Sequence, residues 1–156
     1  MRFSYKGALA NLKEYAINEG YSEVNINHND ISSLHWNTYT LNEPFKINIE
    51  GRHTWEIKSY LMLHELGHHE LRKNWKKFEK RFPVMAKAEK NYWAGITRYI
   101  RRTDYIVESL SEEYAAWEEA LRLGFRFGIK INMTRWVAYK TKCLKAYINY
   151  YATLKR

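Results

Sequence analysis

A glutamate set between two histidines, in the run His64-Glu65-Leu66-Gly67-His68, is the grouping in this 156-residue sequence best able to do chemistry. Residues four apart on a helix lie one turn above each other, so the two imidazoles can meet a single ion. Zinc accepts neutral imidazole nitrogen and, with three protein ligands, keeps a fourth position for water. Glu65 is turned about 100° from His64. A carboxylate there can take a proton from a water that the ion has acidified. The spacing therefore predicts a Zn2+ site with His64 and His68 as ligands and Glu65 as general base. His69 is turned about 100° from His68, which places it away from the ion, at the surface or behind the ligands.

A third ligand has to come from elsewhere. The remaining histidines are His28, His35, His53 and His69, and beyond the adjacent His69 none follows the motif. Extension to a third histidine six residues on is excluded, because Leu71 and Asn74 stand where Gly and His would be needed. A carboxylate is left, as in two-histidine, one-glutamate sites. The acidic run Glu108, Glu112, Glu113, Glu118, Glu119 supplies the candidates. On a helical wheel centred on Leu110, Ile106, Trp117 and Leu121 fall within about 40° and Glu113 at about 60°. Glu108, Glu112 and Glu119 fall on the opposite, solvated side. Glu113 is the expected ligand, a buried carboxylate balanced by the ion, and Glu112 is held in reserve.

With these residues in place the sequence resembles the gluzincin zinc metallopeptidases, whose HExxH helix is followed by a helix bearing a ligand glutamate. Glu113-Tyr114-Ala115-Ala116 fits the start of their second motif, and His64-Glu65-Leu66-Gly67-His68 is similar to the compact ImmA/IrrE-type intracellular peptidases. The resemblance covers about 20 residues and implies metal-assisted hydrolysis of a peptide bond in an intracellular protein. Trp117 departs from the pattern. It stands where those families carry Asp or Asn, which can hold a ligand histidine's second nitrogen, so another group must orient His64 or His68. For the oxyanion donor that such a reaction needs, His53, Tyr60 and Tyr92 are candidates. In such folds a peptide adds to a sheet edge beside the cleft, a role open to the run Phe45–Glu50.

The motif must be positioned by a buried helix. From about 54 to 75 the pattern is helical and apolar nearly all round, as in a helix at the centre of a domain. Further helices are predicted at 7–19, 84–101, 104–123 and 133–154, the last with Asn132 or Thr134 as its cap. Between 21 and 50 the alternations Val24–Asn27 and Phe45–Ile49, with the β-prone Trp36–Leu41 and a turn at Asn42-Glu43-Pro44, predict about three strands in a small antiparallel sheet. The fold class expected is α+β, with a mostly helical body in one domain over residues 1–156.

Composition fits an ordinary domain: 46% of residues are apolar, including 13 Tyr, 6 Trp and 6 Phe, enough to fill a core. The lone Cys143 excludes an intrachain disulfide, and neither a signal-peptide run nor a membrane span is evident; a cytoplasmic location is expected. The net charge of +9 is unevenly spread. Residues 72–102 carry 11 basic and 2 acidic side chains and residues 120–156 carry 9 basic and none acidic, while 103–119 carry 6 acidic and none basic. Cationic segments 72–102 and 120–156 would attract nucleic acid or another acidic partner. Rings interleaved with the charges at Trp75, Phe78, Tyr92, Trp93 and Tyr99 could stack on bases. The competing reading is thus a basic nucleic-acid-binding or host-target-binding regulatory or anti-defence protein with a structural or vestigial zinc site.

Overall fold

In the computed structural model, residues 3–27, 32–36, 44–93 and 101–154 are described. The elements run α1 (Tyr5–Asn18), β1 (Glu23–Asn27), β2 (Ser33–Trp36), β3 (Pro44–Glu50), α2 (Trp55–Arg72), α3 (Trp75–Arg81), α4 (Pro83–Trp93), α5 (Thr103–Arg126) and α6 (Met133–Leu154). Most helices begin at a side chain that accepts an otherwise orphaned amide. Ser4 caps α1, Thr54 caps α2, Asn74 caps α3, and Asn132 caps α6 by accepting from the Arg135 amide at 3.1 Å. The start of α4 is capped from a different helix. Glu108 of α5 accepts from the amides of Val84 and Met85 at 2.8 and 2.9 Å.

The α+β class holds, and the sheet needs correcting. Its main ladder is the parallel pairing of β1 with β3, from Glu23 opposite Lys46 to Asn27 opposite Glu50. The short β2 adds an antiparallel edge on the other side of β3. The antiparallel expectation assumed that sequential strands pair, whereas β3 enters between the two earlier ones. This makes β3 central, so Phe45–Glu50 is not the free edge expected; among the described residues β1 and β2 are the edges of the sheet. Residues 37–43, which include most of the strand expected at 36–41 and two of the three turn residues, lie outside the described residues. So do residues 94–100 of the helix expected over 84–101. The helix expected over 54–75 stops at Arg72, and α3 follows as a separate short helix.

At the centre lies α2. Every residue from Ser59 to His69 is buried, because the helix is covered by α1, β3 and above all α5. Leu9, Leu12 and Ala16 of α1, Ile47 and Ile49 of β3, Trp117 and Leu123 of α5 and Trp136 of α6 join Tyr60, Met62, Leu63 and Leu66 in one apolar cluster. A second, smaller cluster of Phe78, Phe82, Met85 and Ala86 packs against Ala115. Among the described residues, no helix is long and apolar enough to cross a membrane.

Candidate metal centre

The two helices that carry the chemistry touch backbone to backbone, and Gly67 is the reason. A Cβ at Gly67 would fall well inside contact distance of the Ala116 carbonyl and 3.2 Å from the Ala120 amide nitrogen. Only glycine permits this approach, and small Ala116 and Ala120 complete it. The same contact brings α5 close enough for a glutamate to reach the two imidazoles.

Three donor atoms converge there. The Nε2 atoms of His64 and His68 are 3.2 Å apart, and Glu113 Oε2 lies 3.2 Å from the first and 3.5 Å from the second. Ligands about 2.0–2.1 Å from a tetrahedral ion are separated by about 3.3–3.4 Å, so the donor set fits zinc. Glu113 is 7% exposed, His64 5% and His68 8%. Glu113 Oε2 has no hydrogen-bond partner among the described residues, a costly arrangement for a buried acceptor unless a cation completes it. The expected third ligand, Glu113, is therefore brought to the two histidines.

Charge follows from this crowding. Burial and the neighbouring His68 hold His64 below its ordinary value and so neutral, against the pull of Glu113. Burial works against a charge on His68 too, but Glu112 and Glu113 outweigh it and hold the ring protonated. Burial would likewise raise the carboxyl of Glu113, yet His68 and His64 keep it below the usual carboxylate range. For Glu65 burial prevails: opposed by His68 and reinforced by Glu113 and Glu112, it pushes the carboxyl up to about 8. A carboxylate this reluctant to ionise is a ready proton carrier, and a cation beside it would draw its pKa down.

Glu65 lines two cavities at once. One, of about 310 Å³, is polar and includes Arg72, Glu89, Tyr105 and Ser109 in its wall. The other, of about 520 Å³, is bounded by Leu61, Tyr139, Cys143, Ala146 and Tyr150 beside His64. Ser32, Glu65 and Tyr147 belong to both. Burial pushes the Cys143 thiol up to about 11, so it stays protonated near neutral pH and is no nucleophile.

Several side chains lie elsewhere than the sequence placed them. Glu112 is 2% exposed, not solvated, with Oε1 2.7 Å from His68 Nδ1 and 3.1 Å from Arg72 Nε. Half-buried Glu108 caps α4. The wheel allowed α5 one buried face, but α2, α4 and α6 cover it from several sides, and its assumed centre Leu110 is only half-buried. His69 is buried on the far side of α2 against Tyr21 and Glu19, apart from the ligands. Tyr60 bonds to Glu56 and the Asn132 amide, away from the centre. His53 does face the larger cavity, paired with Tyr139; the Tyr92 side chain lies outside the described residues. Sequence reasoning missed Arg72 and Tyr147. Arg72 had a signal, since it follows His68 by four and so shares its face; Tyr147, on a helix remote in sequence, had none.

The cationic segment also changes character. Lys76, Lys77, Lys80 and Arg81 are exposed on α3, but Phe78 is buried and Trp75 packs against its cluster. Phe78 is therefore core and not a stacking platform, while Trp75 is half-buried beside it. Comparison of the chain with known protein families, with curated proteins and with solved structures finds no match, so the three converging donors and Glu65 must carry the functional assignment.

Proposed function

We propose that this protein is a zinc-dependent metallopeptidase of gluzincin type acting on an intracellular protein. The observation that carries this reading is the convergence of His64 Nε2, His68 Nε2 and Glu113 Oε2 within 3.2–3.5 Å of one another, beside a buried glutamate that faces two cavities. When bound, zinc would supply Lewis acidity toward a carbonyl oxygen and lower the pKa of a water. The residues of the chain do the rest. Glu65 takes a proton from the water and returns it to the leaving amine. The edge position of β2, whose Ser33 lines the smaller cavity, offers backbone groups to an extended peptide. Tyr147, shared by both cavities, is placed to donate to an oxygen that becomes charged during the reaction.

The test is metal analysis of the purified protein alongside Glu65→Gln. Wild type should hold about one zinc per chain and cleave an unfolded protein or peptide mixture. Glu65→Gln should keep the zinc and lose cleavage by orders of magnitude. A wild type that takes no zinc, or a Glu65→Gln variant that cleaves as well as wild type, would overturn the reading.

A further inference from the structure

We propose that Glu112, held in place by Arg72, is the positioning residue of His68, fixing its ring as the Nδ1–H tautomer and so setting how tightly the centre takes zinc. The inference rests on the zinc reading above. It answers the question raised by Trp117, which stands where the resemblance expects a side chain to hold a ligand histidine. Trp117 instead lies flat on His64, with ring centroids 4.3 Å apart and planes inclined by 16°. The carboxylate that orients a histidine enters from the residue before the ligand glutamate.

The geometry gives Glu112 this one task. Its Oε1 is 2.7 Å from His68 Nδ1, a separation at which an ionised carboxylate accepts the ring proton. A neutral imidazole has a single N–H, so a proton on Nδ1 leaves the Nε2 lone pair free. Nε2 is the nitrogen that faces His64 and Glu113. Arg72 donates from Nε to the same Glu112 oxygen at 3.1 Å and from Nη1 to Glu89 at 2.6 Å. Its guanidinium also sits 4.7 Å from the centre of the Phe78 ring. Bonded to both carboxylates, Arg72 fixes that of Glu112 against rotation. His64 has no equivalent, since its Nδ1 lacks a hydrogen-bond partner among the described residues. One ligand is anchored by a charged chain and the other by stacking.

Zinc affinity, measured by competition with a chromogenic chelator, tests this in wild type, Glu112→Gln, Arg72→Met and Glu119→Gln. Glu112→Gln should bind zinc roughly 10- to 100-fold more weakly. Arg72→Met should fall in the same direction, and Glu119→Gln, altered at a solvent-side pair with Arg122, should match wild type. Proton NMR of zinc-loaded wild type supplies a readout that metal binding alone would not fix: the His68 Nδ1 proton, held by a carboxylate, should resonate further downfield than that of His64, whose Nδ1 has no partner among the described residues. Unchanged affinity in Glu112→Gln, or a His68 Nδ1 proton no further downfield than that of His64, overturns the proposal, and the wild-type spectrum decides even if the variant fails to fold. A wild type that takes no zinc overturns the metal reading and this inference together. Zinc in wild type with Glu112→Gln unaltered overturns the positioning role alone.

Discussion

One helix carries two histidine–carboxylate clusters, on opposite sides, and they are built to different ends. Toward α5 stand His64, His68 and Glu113; toward α1 stand His69, Glu19 and Glu70, and either set could in principle offer three donors to an ion. On the α1 side every group is already bonded. His69 Nδ1 meets the Tyr21 hydroxyl at 3.1 Å and its Nε2 meets Glu19 at 2.9 Å, while Glu70 accepts from Tyr15 and Lys73. On the α5 side the donors point at each other, and among the described residues Glu113 Oε2 accepts no hydrogen bond. Donor count does not distinguish the two clusters. What does is whether the lone pairs have other work, because a buried acceptor left without it requires a cation.

The sharpest way to break this contrast is to delete histidines on each side. His64→Ala and His68→Ala should abolish measurable zinc binding, and Glu113→Gln should weaken it by orders of magnitude. His69→Ala should leave zinc affinity unchanged and cost only stability. Equal loss of zinc from the His69 variant would mean that the clusters are not separate. Next in size is Gly67→Ala, where the added methyl meets the α5 backbone. Overpacking of this kind costs about 1–3 kcal/mol. It should also lower zinc affinity, because it pushes Glu113 away; urea unfolding with chelator competition reads both. A destabilised Gly67→Ala with wild-type affinity would show that the donors do not depend on the close approach.

A gentler probe removes one bond from the closed cluster. Tyr21→Phe takes the hydroxyl from His69 Nδ1 and should cost about 1 kcal/mol, a melting shift of roughly 2–4 °C for a chain of this size, with zinc affinity untouched. The smallest effect is in acid. The hydrogen bond to His69, outweighing burial, holds the Glu19 carboxyl below its ordinary value. Its folded pKa is depressed, so its contribution is complete above the ordinary carboxylate value of about 4.3 and is lost as pH falls through the folded value. Urea unfolding from pH 6 downward, both limits being about neutral to acid, should show a shallower decline in Glu19→Gln than in wild type.

These contrasts were only partly legible in the sequence. His64, Glu65 and His68 could be read because their geometry is local to one helix, and Glu113 because the wheel turned it inward. Glu112 was assigned to solvent because a wheel gives a helix one wet side, and nothing local says that α4 and α6 will cover it. The parallel pairing of β1 with β3 was hidden for a similar reason. Alternation shows which residues turn inward, and it carries no information about which strand will insert between which. Trp117 was half visible: its departure from the pattern of the families the sequence resembles raised the question of what meets the histidines, and only the tertiary contacts put Glu112 against His68.

The stacking of Trp117 on His64 has a consequence in optics. An indole's emission responds to charge held against its face, and here the ring lies 4.3 Å from an imidazole proposed to bind the ion. Filling the centre would place a divalent charge on that imidazole, so a change in intrinsic fluorescence on adding metal, lost when Trp117 alone of the six tryptophans is replaced by Phe, would report occupancy of the centre.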